Sequence, residues 1–302
     1  MDAGKKSKFP ATTLQTPPLE APSQWAQHVG RPGRLINQTA LTAILETKAK
    51  MSKEMQARND TCIFLMTSPG SGSSTMVSLI NKAAPECEIS GENHGAIADL
   101  ANFAYKLEET ELQMRRTRGH SAAAWHKVFD YPAALRDQHR LATTILNPNH
   151  RRCWGYKEIR HGTGLHENFF DKDIRFLQTL CARPRFVIHT RSLKAELHSS
   201  IVANNGHADK TRRQHACFGA YLDSVLMYRA GRNPRPSNTR VPKGCYYSPE
   251  LGREKPMVFN HTLEDYTEHT VRHEQLWDFL GFLPPPKDTP TIWQRHKHKM
   301  PN

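Results

Sequence analysis

The chain has 302 residues, 37% of them hydrophobic, and carries a formal net charge of +13 at pH 7. This length fits one large α/β domain or two smaller ones. No apolar run approaches the roughly 18 residues that a membrane-spanning helix needs, and the N-terminus lacks the apolar stretch of a secretory signal. We therefore expect an intracellular, cytoplasmic protein without a membrane span.

The positive charge has two interpretations, an anionic partner or a solvated basic surface. The sequence has no zinc-finger spacing and no aromatic ribonucleoprotein motif, so no specific nucleic-acid partner is expected. The six cysteines form no C-x-x-C pair and the histidines form no H-E-x-x-H pair, so no metal is expected. Several cysteines lie in apolar runs, which predicts buried free thiols.

Along the chain, residues 1 to about 57 are rich in Pro, Lys, Ser and Thr and are predicted to form a flexible basic N-terminal segment, with helix allowed around Leu41–Lys53. Residues 58–302 are predicted to form one α/β domain. Apolar runs predict strands over Thr61–Met66, Cys87–Ile89, Cys153–Ile159, Arg185–Thr190 and Met257–His261. Helical patterns cover Ser73–Lys82, His94–Glu108, Ala122–Phe129, Tyr131–Leu146, Phe170–Cys181, Leu193 to beyond Ser200, Gln214–Tyr228 and Glu264–Leu280.

This alternation of strands and helices predicts a parallel sheet with helices on both faces. In such sheets ligands bind at the carboxyl ends of the strands. The loop after the first strand, the segment after the second, the end of CWGYKEIR and the segment after RFVIHT are therefore expected to lie close together.

The loop after the first strand, Thr67–Thr75, has the composition of a phosphate site. Its glycines allow close approach of the backbone, and the N–H groups and dipole of the following helix attract an anion. An ordinary Gly/Ser turn at the start of a helix is the alternative. A nucleotide-kinase loop requires Lys after the second glycine, and Ser73 stands there. A dinucleotide-binding loop requires a small residue where Thr75 stands. Both classes are disfavoured.

A second phosphate site is predicted after the strand RFVIHT. Arg191 follows this strand, and Ser199 lies eight residues later on the next helix. An arginine at a strand exit and a serine on the following helix can both reach one phosphate. A surface arginine and an unrelated helix serine are the alternative, but the pair gains weight beside the upstream loop, because the two sites together grip two phosphates of one nucleotide.

At these segments the chain resembles the sulfotransferase superfamily, which uses 3′-phosphoadenosine 5′-phosphosulfate (PAPS). The similarity covers about residues 61–282 and is greatest to carbohydrate and algal or plant sulfotransferases. The matching segments are TSPGSGSST, EISGENHGAI, GYKEIR, RFVIHTRSLKAELHSS and FNHTLEDYTEHTVRHEQLWDFLGF. The resemblance implies a P-loop-like three-layer sandwich, a PAPS co-substrate, no metal, and sulfuryl transfer to a hydroxyl or amine of a small-molecule or glycan acceptor. Cofactor binding is carried over to Ser68, Gly70, Ser71, Gly72, Ser73, Ser74, Thr75, Arg191 and Ser199.

For the chemistry, Glu92 is the first candidate general base and His94 the alternative. Lys157 is the candidate stabiliser of charge on the leaving phosphate. The chain departs from the family at Gly70, where these enzymes usually carry Lys or Arg. Either Lys157, Arg160 or His94 replaces that cation, or the protein binds a nucleotide or an acidic glycan without chemistry.

Overall fold

Five parallel strands form the centre of the protein. The computed structural model describes residues 38–117, 129–161, 170–202, 208–232, 243–247 and 257–284. The strands are β1 (Thr61–Thr67), β2 (Cys87–Ser90), β3 (Cys153–Glu158), β4 (Arg183–Thr190) and β5 (Val258–Thr262). They form one sheet in the order β2-β3-β1-β4-β5, and all neighbouring pairs are parallel. All five strands predicted from the sequence are therefore confirmed.

Helices connect the strands, as expected for a parallel sheet. They are α1 (Gln38–Gln56), α2 (Ser73–Ala83), α3 (Ala96–Thr117), α4 (Tyr131–Leu146), α5 (Phe170–Gln178), α6 (Leu193–Val202), α7 (Ala208–Arg229), α8 (Leu263–Thr267) and α9 (Val271–Leu280), with a short 3-10 helix at Lys243–Cys245. None of the helices in these described ranges combines the length and the hydrophobicity that a membrane span requires. The helix predicted over Ala122–Phe129 lies almost entirely outside them.

Helices cover both faces of the sheet. Successive strand residues point to opposite sides, so each strand contributes to two cores. Phe64, Trp154 and Phe186 lie on one face, in a core to which α3, α4, α5 and α7 contribute. Leu65 and Val187 lie on the other face, in a core with α2 and α9. Burial on both faces explains the almost continuous apolar runs of β1 and β4.

Helix α1 packs on the helical layer rather than on the sheet. Ile44 and Met51 are buried in a third cluster with Tyr131 and Leu135 of α4. The helix allowed around Leu41–Lys53 is therefore present and joined to the domain. The division of the chain at residue 57 stays a prediction, because residues 1–37 lie outside the described part.

The prediction of one helix over Glu264–Leu280 was wrong. Two helices, α8 and α9, are separated at residues 268–270, where His269 takes a left-handed backbone conformation with φ of 52°. The first helix is fixed by a capping box, in which the Thr262 side chain accepts from the Asp265 N–H and the Asp265 carboxylate accepts from the Thr262 N–H. The predicted end at Gly281 is confirmed, with a left-handed glycine as its cap.

The prediction of free thiols was also wrong. The cysteines form three disulfides, Cys62–Cys181, Cys87–Cys153 and Cys217–Cys245. The predicted burial is confirmed, because all six cysteines are buried. The pairing was missed because it depends on contacts between distant segments: the first two disulfides join residues 119 and 66 positions apart.

Candidate functional site

The loop between β1 and α2 lies at the carboxyl end of the central strand. Gly70 and Gly72 have φ of 79° and 81°, which only glycine adopts without strain. A Cβ on Gly72 would lie 2.8 Å from the side chain of Leu263. The glycines therefore serve both the backbone turn and the close packing of the loop, and an ordinary helix-capping turn does not require both.

Several hydrogen-bond donors of this loop are left for a ligand. Helix α2 begins after Gly72 without a capping side chain. The Thr75 and Met76 N–H groups donate to the Gly72 carbonyl at 3.0 and 3.3 Å, so the first-turn donors that remain are the N–H groups of Ser73 and Ser74. The Ser71 side chain is fully buried, and its hydroxyl has no hydrogen-bond partner among the described residues. Buried polar groups are rarely left unpaired. The loop thus has the chemistry of an anion site.

The second predicted phosphate site contacts this loop. Arg191 follows β4, and Ser199 lies on α6. The Ser199 hydroxyl is 3.1 Å from the point where a Cβ on Gly70 would lie, so the two segments predicted to share a nucleotide are adjacent. The Arg191 guanidinium is partly exposed and makes no hydrogen bond or ion pair within the described part of the chain.

A buried carboxylate that the sequence analysis missed joins these two segments. Glu196 is fully buried on α6 and accepts hydrogen bonds from the Ser68 hydroxyl at 2.6 Å and the Arg191 N–H at 2.7 Å. Its other oxygen lies 2.6 Å from His215 Nε2. The sequence signal was its spacing: Glu196 is three residues before Ser199, which places both on one helix face.

A cluster of paired charges lies at the ends of β2 and β3. Glu92 accepts hydrogen bonds from Lys157 Nζ and, at 3.1 Å, from Arg160 Nη1. Arg160 Nη1 also lies 2.8 Å from Glu158, and Arg160 Nη2 lies 3.4 Å from His94 Nδ1. The three residues predicted for the chemistry, Glu92, His94 and Lys157, are therefore brought together.

Lys157 and Glu158 point to opposite sides of β3, as the alternation predicts. Glu158 is fully buried and accepts from the backbone N–H groups of Gly95, Ile159 and Arg160 at 3.1, 2.9 and 3.2 Å. It thereby fixes the segment that carries His94. Lys157 instead faces Glu92, which leaves Glu158 a structural residue and Lys157 the one turned toward the candidate base.

Gln214 of α7 was also missed, and it holds two strand exits together. Its amide nitrogen lies within hydrogen-bond distance of the carbonyl oxygens of Thr67, Ile159 and His161, at 2.9, 3.0 and 2.7 Å. These carbonyls follow β1 and β3. The contact therefore fixes the phosphate loop relative to the charged cluster, although nothing in the local sequence marks Gln214 as different from other helix residues.

A row of three buried histidines lies behind the phosphate loop. His189 Nε2 lies 3.0 Å from the Ser71 carbonyl oxygen, and His189 Nδ1 lies 3.0 Å from His261 Nδ1. His261 Nε2 lies 3.2 Å from His273 Nδ1, and the Trp277 indole donates to His273 Nε2 at 3.3 Å. Burial lowers the pKa of His189 to about 4 and that of His261 to about 2. The row is therefore uncharged at neutral pH.

Within the described ranges, no group of three or more His, Cys, Asp or Glu side chains is arranged to hold a metal ion. Neither a protein-family model nor a curated protein matches the sequence. A functional assignment therefore depends on the geometry of the phosphate loop and of the strand ends around it.

Proposed function

We propose that the protein transfers a sulfuryl group from PAPS to a hydroxyl or amine of a small-molecule or glycan acceptor. The observation that supports this most directly is the contact between the loop at Gly70 and Ser199 on α6. A loop that binds one phosphate occurs in many proteins. A second anion site built from Arg191 and Ser199 beside it suits a nucleotide with phosphates on both the 5′ and 3′ positions.

The sheet topology adds to this argument. The strand order β2-β3-β1-β4-β5 sets the glycine-rich loop after the central strand, with Arg191 leaving the neighbouring strand β4. This supports a P-loop-like three-layer arrangement for the proposed enzyme. The 5′-phosphosulfate would bind at Ser68, Gly70, Ser71, Gly72, Ser73, Ser74 and Thr75, and the 3′-phosphate at Arg191 and Ser199.

In the proposed reaction the acceptor oxygen or nitrogen attacks sulfur in line with the bond to the 5′-phosphate. The new bond to sulfur forms as the sulfur–oxygen bond to the phosphate breaks, and adenosine 3′,5′-bisphosphate leaves. Glu92 or His94 takes the acceptor proton. Lys157 and Arg160 stabilise the charge that develops on the departing phosphate, in place of the cation absent at Gly70.

A second function is nucleotide or acidic-glycan binding without chemistry. One specific contact favours it: Glu92 is paired with both Lys157 and Arg160, so the candidate base and the candidate cations engage each other. A binding protein of this kind would retain affinity for the bisphosphate and transfer no sulfate. Glycan binding at a basic surface would also weaken steeply with salt.

The compartment is a separate question. A cytoplasmic location was expected from the sequence, but the three disulfides favour an oxidising compartment, because cytosolic proteins are kept reduced. Mass spectrometry of the protein from its native source, after alkylation without reductant, decides between them. Six alkylated thiols would support the cytosol, and none would support an oxidising compartment.

Calorimetry with adenosine 3′,5′-bisphosphate tests the proposed function, with adenosine 5′-monophosphate as the matched control ligand. We expect the bisphosphate to bind more tightly than the monophosphate by roughly 1.5–3 kcal/mol, the range for hydrogen bonds to a charged group. Equal affinities, or no binding at millimolar concentration, would contradict the proposal. Transfer of labelled sulfate from PAPS to a panel of glycans and small alcohols then separates the enzyme from the binding protein.

A further inference from the structure

The row of histidines behind the phosphate loop admits one arrangement of protons. At one end is the Ser71 carbonyl, which can only accept, so His189 carries its proton on Nε2 and donates it there. At the other end is the Trp277 indole, which can only donate, so His273 Nε2 accepts. Both ends of the row therefore fix a tautomer independently.

The two middle contacts agree with both ends. Neutral His189 accepts on Nδ1, so His261 donates from Nδ1 and accepts on Nε2 from the Nδ1–H of His273. Each ring then donates once and accepts once. No other set of neutral tautomers satisfies all four hydrogen bonds. The chain of contacts that starts at Trp277 on α9 therefore requires the last ring to donate from Nε2 to the Ser71 carbonyl.

This donor decides the orientation of one peptide group of the loop. The Ser71 carbonyl and the Gly72 N–H belong to the same peptide, and no peptide bond in the described residues is cis. In a trans peptide these two groups point in opposite directions. Since the carbonyl points to buried His189, the Gly72 N–H points away from the histidine row.

A flip of this peptide changes ψ of Ser71 and φ of Gly72. Glycine adopts positive and negative φ about equally readily, so Gly72 itself does not oppose the flip. In the flipped form the carbonyl oxygen would take the place of the N–H and would repel an anion. We propose that His189 is a positioning residue of the phosphate loop, which turns the Gly72 N–H toward the bound anion by holding the Ser71 carbonyl.

This inference rests on the proposed function for the identity of the nucleotide, but its test does not. The matched variants are His189→Leu, which removes the donor, and His189→Gln, whose amide nitrogen reaches the same point and donates. The first readout is the affinity of the full chain for adenosine 3′,5′-bisphosphate by calorimetry. We expect at least a tenfold loss in His189→Leu and recovery to within threefold of the unaltered chain in His189→Gln. Thermal unfolding confirms that both variants are folded.

The second readout uses inorganic sulfate, whose binding requires no nucleotide. In ¹⁵N-labelled protein, sulfate should shift the Gly72 amide signal in the unaltered chain and in His189→Gln, and not in His189→Leu. If the bisphosphate does not bind but sulfate gives this pattern, the proposed function fails and the positioning role stands. Equal sulfate shifts in the two folded variants, or equal bisphosphate affinities, would overturn the positioning role. If His189→Leu does not fold, failure of His189→Gln to bind sulfate as the unaltered chain does would overturn it.

Discussion

The two halves of the candidate site differ in the hydrogen bonds and ion pairs of their side chains. At the phosphate loop and α6, the Ser71 hydroxyl and the Arg191 guanidinium have no partner among the described residues. At the ends of β2 and β3, by contrast, Lys157 and Arg160 are each paired with Glu92. The first region can receive an external anion at Arg191 directly, although the Ser68 hydroxyl must first give up its hydrogen bond to Glu196. The second must exchange contacts within the protein for contacts with a substrate before it can act.

The largest effect is expected at the paired region. Glu92→Gln removes the candidate base with little change in shape, so sulfate transfer should fall by roughly 10²–10⁴-fold, the usual range for general-base catalysis. Bisphosphate affinity should change little, because the loop, Arg191 and Ser199 are unaltered. Initial rates with labelled PAPS provide the measurement, and Glu88→Gln on β2, whose carboxylate pairs with Arg151, is the control.

His94→Asn, measured in the same assay, decides between the two candidate bases. If His94→Asn loses the activity and Glu92→Gln retains it, His94 is the base and Glu92 only orients Lys157 and Arg160. If neither variant changes a measurable transfer rate, the paired cluster has no part in proton transfer. The ion pairs of this cluster would then contribute to stability alone.

The next effect concerns the unpaired region. Arg191→Ala should weaken binding of adenosine 3′,5′-bisphosphate by roughly 1.5–3 kcal/mol, because it removes a charged hydrogen-bond donor. Stability should change little, since the guanidinium makes no hydrogen bond or ion pair within the described residues. Arg140→Ala is the matched control, because Arg140 is an exposed arginine on α4 that forms an ion pair with the exposed Asp137. A loss of affinity shared by both variants would mean that net charge is responsible.

The histidine row predicts how the loop responds to acid. Burial is the main cause that lowers the pKa values of His189, His261 and His273, so the unfolded chain binds protons that the folded chain does not. The stability that these neutral histidines contribute is therefore fully present above the ordinary histidine pKa of about 6.5. It is lost as pH falls toward the lowered pKa values. For His189, the loss between pH 7 and pH 5 is about 2 kcal/mol. The ionisable groups facing the row are Glu264, Asp265, His269, Arg272 and Glu274.

Urea unfolding at pH values from 5 to 8 measures this dependence. Asp265, the carboxylate with a lowered pKa, titrates below this window. His189→Gln should reduce the slope of this dependence more than His198→Gln, because His198 is exposed on α6 and lies outside the row. A flat profile in the unaltered chain would mean that the row is protonated in the folded state.

The sequence indicated side chains at strand exits better than side chains that act through distant partners. The loop, Arg191 and Ser199 were proposed as site residues because glycines and short polar residues at a strand exit have few other uses, and their role stays a prediction. Glu196, Gln214 and the histidine row were missed, since each acts through a partner 19 or more residues away. The disulfides were missed for the same reason. Strand positions were predicted well, because an apolar run reports burial on both faces without reference to any partner.

The smallest effect is expected at the Ser71 hydroxyl, where one substitution can distinguish a role in ligand binding from a role in stability. Ser71→Ala removes a buried donor that has no partner among the described residues, so stability should stay equal or rise by up to about 1 kcal/mol. Bisphosphate affinity should fall by about 0.5–1.5 kcal/mol, the net value of one hydrogen bond. Ser90→Ala is the opposite case, because the Ser90 hydroxyl donates to the Gly155 carbonyl at 3.1 Å. That variant should lose stability and keep its affinity. If Ser71→Ala instead lost stability and bound normally, the loop would be a structural turn and its unpaired donors would have no ligand.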